Sequence, residues 1–304
     1  MGVILNCNYA IADILPLDDA LRATYVACVG IDDELSDLKK MAGINTAVTG
    51  VGTGLGAGAT VVGIIKANKD KQIANLEEKL ARLKQITENK SITAPNRAEL
   101  LSETDRYFQD NKDETKTIED DITVLTKQSK KLGNWRTGLM AGNTATNVAG
   151  AIIAGNNKVD DALQTQIDNC KAAVKDLQNS TMQARSNGED ITEANTIINA
   201  CKEYDYVDIS PINKRAKGAM VSSIVGATTG MAGTVTSAVA NTDKTRNDNT
   251  DAGKQKEKNL NTASNVLAGA STVASGVATV FNATQISAIK KVAAVAEKCT
   301  GVLK

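Results

Sequence analysis

The sequence predicts an all-α protein: a duplicated antiparallel helical hairpin forming a four-helix bundle with a small-residue (Gly/Ala) core, extended by one long charged helical arm. Three observations predict it. Four uncharged stretches of 21 to 31 residues, 41–65, 137–157, 218–242 and 259–289, contain no proline and are too long for strands. Small residues recur in them at three- and four-residue steps, as in Gly50, Gly54, Gly58 and in Ala270, Ala274, Ala278. Only 3% of the 304 residues are aromatic, against 23 glycines, so the core is aliphatic and small, unlike that of a β-sandwich or propeller.

Taken in order, Met1–Ala12 is uncharged and ends Ala10-Ile11-Ala12 before Asp13, the small-x-small pattern of a signal-peptidase site without the usual basic start. Residues 1–12 are therefore read as a signal-peptide remnant. Its removal takes away Cys7 and leaves Cys28, Cys170, Cys201 and Cys299, an even set that suits two disulfides in an exported chain. Residues 13–170 form the first hairpin repeat, with the arm at 70–136. Residues 171–200 form a helical connector and 201–304 the second repeat.

The duplication rests on two alignments of the chain with itself. An offset of 173 superposes Ala27-Cys28 on Ala200-Cys201, and 67–71 on 240–244. An offset of 129 superposes Cys170 on Cys299 and Ala145 on Ala274, so the first copy carries an insertion, which is the arm. Residues four apart share a helix face, and glycine or alanine there lets a neighbouring backbone come close. Gly50, Gly54, Gly58, Gly226, Gly230, Ala270, Ala274 and Ala278 are the expected seam residues. Glycine costs a helix about 0.5–1 kcal/mol per position relative to alanine, so such helices need close packing to exist. The seam centres near 54 and 147 lie 26 residues after Cys28 and 23 before Cys170, and those near 230 and 274 lie 29 after Cys201 and 25 before Cys299. Near-equal distances bring both cysteines of a copy to one end of its hairpin. Cys28–Cys170 with Cys201–Cys299 is the pairing expected, and Cys170–Cys201 with Cys28–Cys299 is the competing one.

In the arm, Ile73, Leu76, Leu80, Leu83 and Ile86 share a face on one helix, Pro95 follows a break, and Ile118, Ile122 and Leu125 lead back on another. Because only one copy has the arm, its apolar positions Leu76, Leu80, Leu83, Ile118 and Ile122 are the candidate partner-binding residues. Between the copies, two helices are expected at 160–185 and 190–203, the second opened by an Asp190/Glu193 capping box, and 243–258 reads as a polar loop.

Lys+Arg and Asp+Glu balance at 35 each, which removes the electrostatic case for nucleic acid. Histidine is absent, which removes Ser-His and Cys-His triads and His-ligated zinc. The glycine run at 50–58 lacks the preceding strand and the Gly-Lys-Ser/Thr of a phosphate loop. Asn247–Gly253 resembles a calcium loop, but its glycine falls one place late and no glutamate closes it. No catalytic residue, metal ligand, cofactor or small-molecule substrate is therefore assigned. The expectation is a non-enzymatic structural or interaction protein of a bacterial cell envelope or periplasm, with a cytoplasmic location as the alternative. It would self-associate or bind a protein partner through its seams and arm. The competing expectation is a membrane-inserting protein forming an oligomeric pore. Span length favours it, while the abundance of Thr, Asn and Ser, and the lack of Trp or Tyr to mark the ends of the stretches, speak against it.

Overall fold

The computed structural model describes residues 15–89, 100–246 and 250–304, with side chains from 86 to 108 also outside the description; the signal-peptide remnant and Pro95 thus lie outside the described residues. Every element among the described residues is helical. They are α1 (Leu17–Cys28), α2 (Ile31–Asn89), α3 (Leu100–Asn156), α4 (Asp161–Ser186), α5 (Thr192–Cys201), a 3-10 turn (Lys202–Tyr206), α6 (Ser210–Ala240), α7 (Asp243–Arg246) and α8 (Asp251–Leu303). Two turns depend on glycine: Gly30 between α1 and α2, and Gly188 between α4 and α5, have φ of +93° and +80°, which side-chain-bearing residues rarely adopt.

Local chemistry corrects three expected boundaries. Asp160 caps α4 by accepting from the Leu163 amide, so the helix begins one residue later than read. The Asp190/Glu193 box does not form. Asp190 instead accepts from the amide and hydroxyl of Thr192, where α5 starts. The expected loop at 243–258 is helical at 243–246 and again from Asp251, with 247–249 outside the described residues.

The chain divides into two compact units. Unit 1 comprises Met1–Val48, Gly150–Ser222 and Val277–Lys304. Its core is apolar, with Ile31, Leu35, Ile167, Leu177, Tyr204, Ile212 and Ile289 buried together. Thr24 of α1 donates to the carbonyl of Ala173 in α4 at 3.2 Å. Burial, with Asp32 beside it, pushes the Tyr204 phenol above its usual range, so the ring stays neutral in the core. Two disulfides, Cys28–Cys170 and Cys201–Cys299, join elements across this core.

Unit 2 comprises Thr49–Ala149 and Ser223–Gly276. Its buried positions step alternately by four and three: 52, 56, 59, 63, 66 on α2; 136, 140, 143, 147 on α3; 223, 226, 230, 233, 237 on α6; 264, 268, 271, 275 on α8. That alternation is the heptad of left-handed supercoiled helices. The residues on it are Gly, Ala, Ser and Asn for the most part, and the buried apolar cluster reduces to Ala59, Met140 and Ala268 with Leu139 against them. Unit 2 also carries the arm, where antiparallel α2 and α3 are bridged by Lys79–Glu114 and Lys84–Glu119 at 2.7 and 2.8 Å. These pairs are about half exposed, so each contributes little to stability.

Candidate functional site

The heptad revises the seam. Successive residues four apart drift about 40° around a helix, so a run such as 50, 54, 58 leaves the contact line that a 4-3 alternation keeps. Gly50 and Gly54 have open space where a Cβ would stand, and Gly58 only meets Leu139 at an ordinary 3.5 Å. The close approaches on α2 are at Gly52, Gly56 and Gly63. A Cβ there would fall 2.5 Å from Thr146 Oγ1, 2.4 Å from Thr272 Oγ1 and 2.1 Å from Asn265 Oδ1, respectively. On α6 the expected Gly226 and Gly230 do lie in the seam, where an added Cβ would fall 2.6 Å from Asn147 Oδ1 and from Thr144 Oγ1, respectively. On α8 Ala274 and Ala278 are buried, whereas Ala270 is exposed.

On the arm, Ile118 is buried and Leu76, Leu80, Leu83 and Ile122 are half-buried.

Unit 2 contains a polar seam that the small-residue pattern concealed. Asn147 donates to Asn143 Oδ1 and to Ser275 Oγ, both at 2.8 Å. Asn143 donates to Ser271 Oγ at 2.8 Å, and Ser271 donates to the Gly226 carbonyl at 2.7 Å. Three helices are thereby tied by one hydrogen-bonded chain with every link buried. Two turns along, Ser264 donates to the Gly233 carbonyl at 3.0 Å. Glycine serves two purposes here, because it admits the neighbouring side chain and bares the carbonyl that side chain bonds.

Beyond this chain lies a charged layer. Lys66, 1% exposed, meets Asp70 at 2.6 Å and Glu257 at 3.7 Å, and Ser129 hydrogen-bonds Asp70. Burial raises the Glu257 carboxyl above its usual range, against the opposing pull of Lys66. Arg136 is also 1% exposed.

The outer faces invert the usual distribution. Val51, Val61, Ile64, Val148, Val225, Met231, Val235, Val239, Val266 and Val273 of unit 2 are all exposed, the last pair at 67% each. The apolar windows in the helical run Leu17–Gln85 and in α8 have mean hydropathy 1.6 and 1.4, yet only 28% and 33% of them is buried. A soluble core helix of that composition would be mostly buried. Trp135, the single tryptophan, stands 71% exposed two residues ahead of the second uncharged stretch.

Catalytic geometry does not emerge among the described residues. A shallow groove between α1 and α4 is lined by Asp19, Arg22, Val26 and Gln166 without a convergent nucleophile and base. Sulfurs of Cys28, Cys170 and Cys299 lie within 4.8 Å of one another, but all are consumed in disulfides and offer no thiolate to a metal. No protein-family model, curated protein or solved structure matches the chain.

Proposed function

We propose that the protein is a non-enzymatic integral membrane protein of an exported compartment, held in the bilayer by its four uncharged helices. The observation that carries this reading is the inversion in unit 2, with Asn, Ser and Gly facing inward and Val, Ile and Met facing outward. In water such a bundle has no hydrophobic driving force, because folding would bury its polar side chains and leave its apolar ones wet. In lipid the same arrangement is the favoured one. Small residues let helices pack, interhelical hydrogen bonds satisfy the polar groups, and apolar side chains meet acyl chains.

The dimensions agree. A stretch of 25 residues such as 41–65 rises about 37 Å as a helix, against a hydrocarbon core of about 30 Å. Trp135 falls at a stretch boundary, where tryptophan is enriched at membrane interfaces. We read the hairpins, each closed by its own disulfide, as copies of one unit. Its role is structural.

Alkaline carbonate extraction of membranes from expressing cells tests this. The protein is expected to stay in the membrane pellet; full release into the supernatant would return the reading to a soluble envelope protein. One observation favours the further step of self-association, namely the open Gly50/Gly54 pair on a lipid-facing helix, a spacing that suits close helix dimers.

A further inference from the structure

We infer that the two disulfides of unit 1 form one exchange-coupled redox centre with Cys299 at its hub. The sulfurs of Cys28, Cys170 and Cys299 lie within 4.8 Å of one another. Cys299 thus belongs to one disulfide and adjoins both sulfurs of the other. All four bonded cysteines are 0% exposed and share the apolar core of Ile31, Ile167 and Tyr204. Cys28 ends α1, Cys170 lies within α4 and Cys299 lies near the end of α8, so the core holds three chain segments with their sulfurs together. Reacting atoms about 3.5 Å apart are in attack range, and side-chain turns on the order of 1 Å close the remaining gap.

Disulfides exchange by attack of a thiolate on a bonded sulfur. An external dithiol opens either bond by supplying two electrons and two protons, and leaves as its own disulfide. Where it opens Cys201–Cys299, the Cys299 thiolate attacks Cys28–Cys170. A bond forms to one of those sulfurs, and the other departs as a thiolate and takes up the proton that Cys299 released. Where it opens Cys28–Cys170, a thiolate of that pair attacks Cys299, and Cys201 departs in the same way. Both routes end with Cys299 bonded to Cys28 or Cys170 and with two thiols, one of them Cys201. The exchange consumes no further electrons. It moves the tether of α8 from α5 to α1 or α4, so one two-electron reduction reconnects helices instead of merely releasing a staple. A thiol buried among apolar groups ionises reluctantly, which leaves the step on the minutes-to-hours scale of uncatalysed rearrangement, slow enough to trap with acid. The inference concerns unit 1 alone and stands apart from the membrane reading.

The test uses the full chain in detergent, carrying Cys7→Ser so that no further thiol competes. Adding Cys201→Ala frees Cys299 without a reductant. After incubation at mildly alkaline pH, acid quenching and alkylation with N-ethylmaleimide in denaturant, peptide mapping locates the label. It is expected on Cys28 or Cys170 as well as on Cys299, with peptides that join Cys299 to the other member of the pair. Cys299→Ala frees Cys201, which stands outside the trio, and is expected to keep Cys28–Cys170 and carry the label on Cys201 alone. The chain with both disulfides, given limiting dithiothreitol, is expected to pass through one-disulfide species that join Cys299 to Cys28 or Cys170. This last arm starts from the intact fold, so it decides the matter even where a single-cysteine variant does not fold. One-disulfide species limited to the two native pairs would overturn the inference, as would label confined to Cys299 in folded Cys201→Ala. Equal rearrangement in the two variants would overturn it too, since that marks unguided scrambling.

Discussion

Replacing both Cys201 and Cys299 by alanine is expected to lower the stability of unit 1 by about 4–5 kcal/mol, the chain-entropy value for a loop on the order of 100 residues. The residues are 98 apart in sequence, and the bond ties the end of α5 to the end of α8 within a core of Ile, Leu and Tyr. Denaturant unfolding of the detergent-solubilised protein, followed by circular dichroism, measures the loss. A change below about 1 kcal/mol would mean that the core holds these elements together without the staple, so that the disulfide adds no constraint to the unfolded chain. The same reasoning applied to Cys28 and Cys170, 142 apart, predicts a loss at least as large.

Two glycines two residues apart on α2 should respond in opposite directions to alanine. At Gly56 a Cβ would stand 2.4 Å from Thr272 Oγ1, 2.9 Å from Asn143 Nδ2 and 3.2 Å from the Thr272 Cα, so backbone as well as side chains must give way. Gly56→Ala is expected to destabilise unit 2 by about 1–3 kcal/mol through overpacking and through disturbance of the Asn143 hydrogen bonds. At Gly54 nothing lies within 4 Å, and Gly54→Ala is expected to be neutral or to gain up to about 1 kcal/mol of helix propensity. Thermal unfolding of the two variants side by side separates them. Equal effects would contradict the heptad seam.

That pair also shows how far the sequence could be read. The all-α architecture was legible because long uncharged stretches without proline leave little else to form. Which glycines touch was not, because the visible Gly50-Gly54-Gly58 pattern is a four-residue step, and a supercoil selects the 4-3 alternation. The signal was present on α3, where Arg136, Met140, Asn143 and Asn147 already mark the heptad, but polar residues on a repeat look like an exposed face when the interior is assumed to be apolar. Near-equal spacing from seam to cysteine pointed to the disulfides because spacing along straight helices converts directly into height. The burial of Arg136 and Lys66 is not legible in the sequence, since burial of a charge is a property of packing and leaves no mark in composition.

The central claim is that Val266, Val273 and Val280, an outward column on α8 at seven-residue intervals, face acyl chains. Spin labels placed singly at these positions, through cysteine in a background lacking Cys7, report collision with oxygen, which concentrates in the bilayer, and with a water-soluble nickel chelate. The account predicts oxygen accessibility greatest at 273 and nickel accessibility lowest there, with both graded toward 266 and 280 in reconstituted vesicles. High nickel accessibility at all three positions would place the column in water and contradict it.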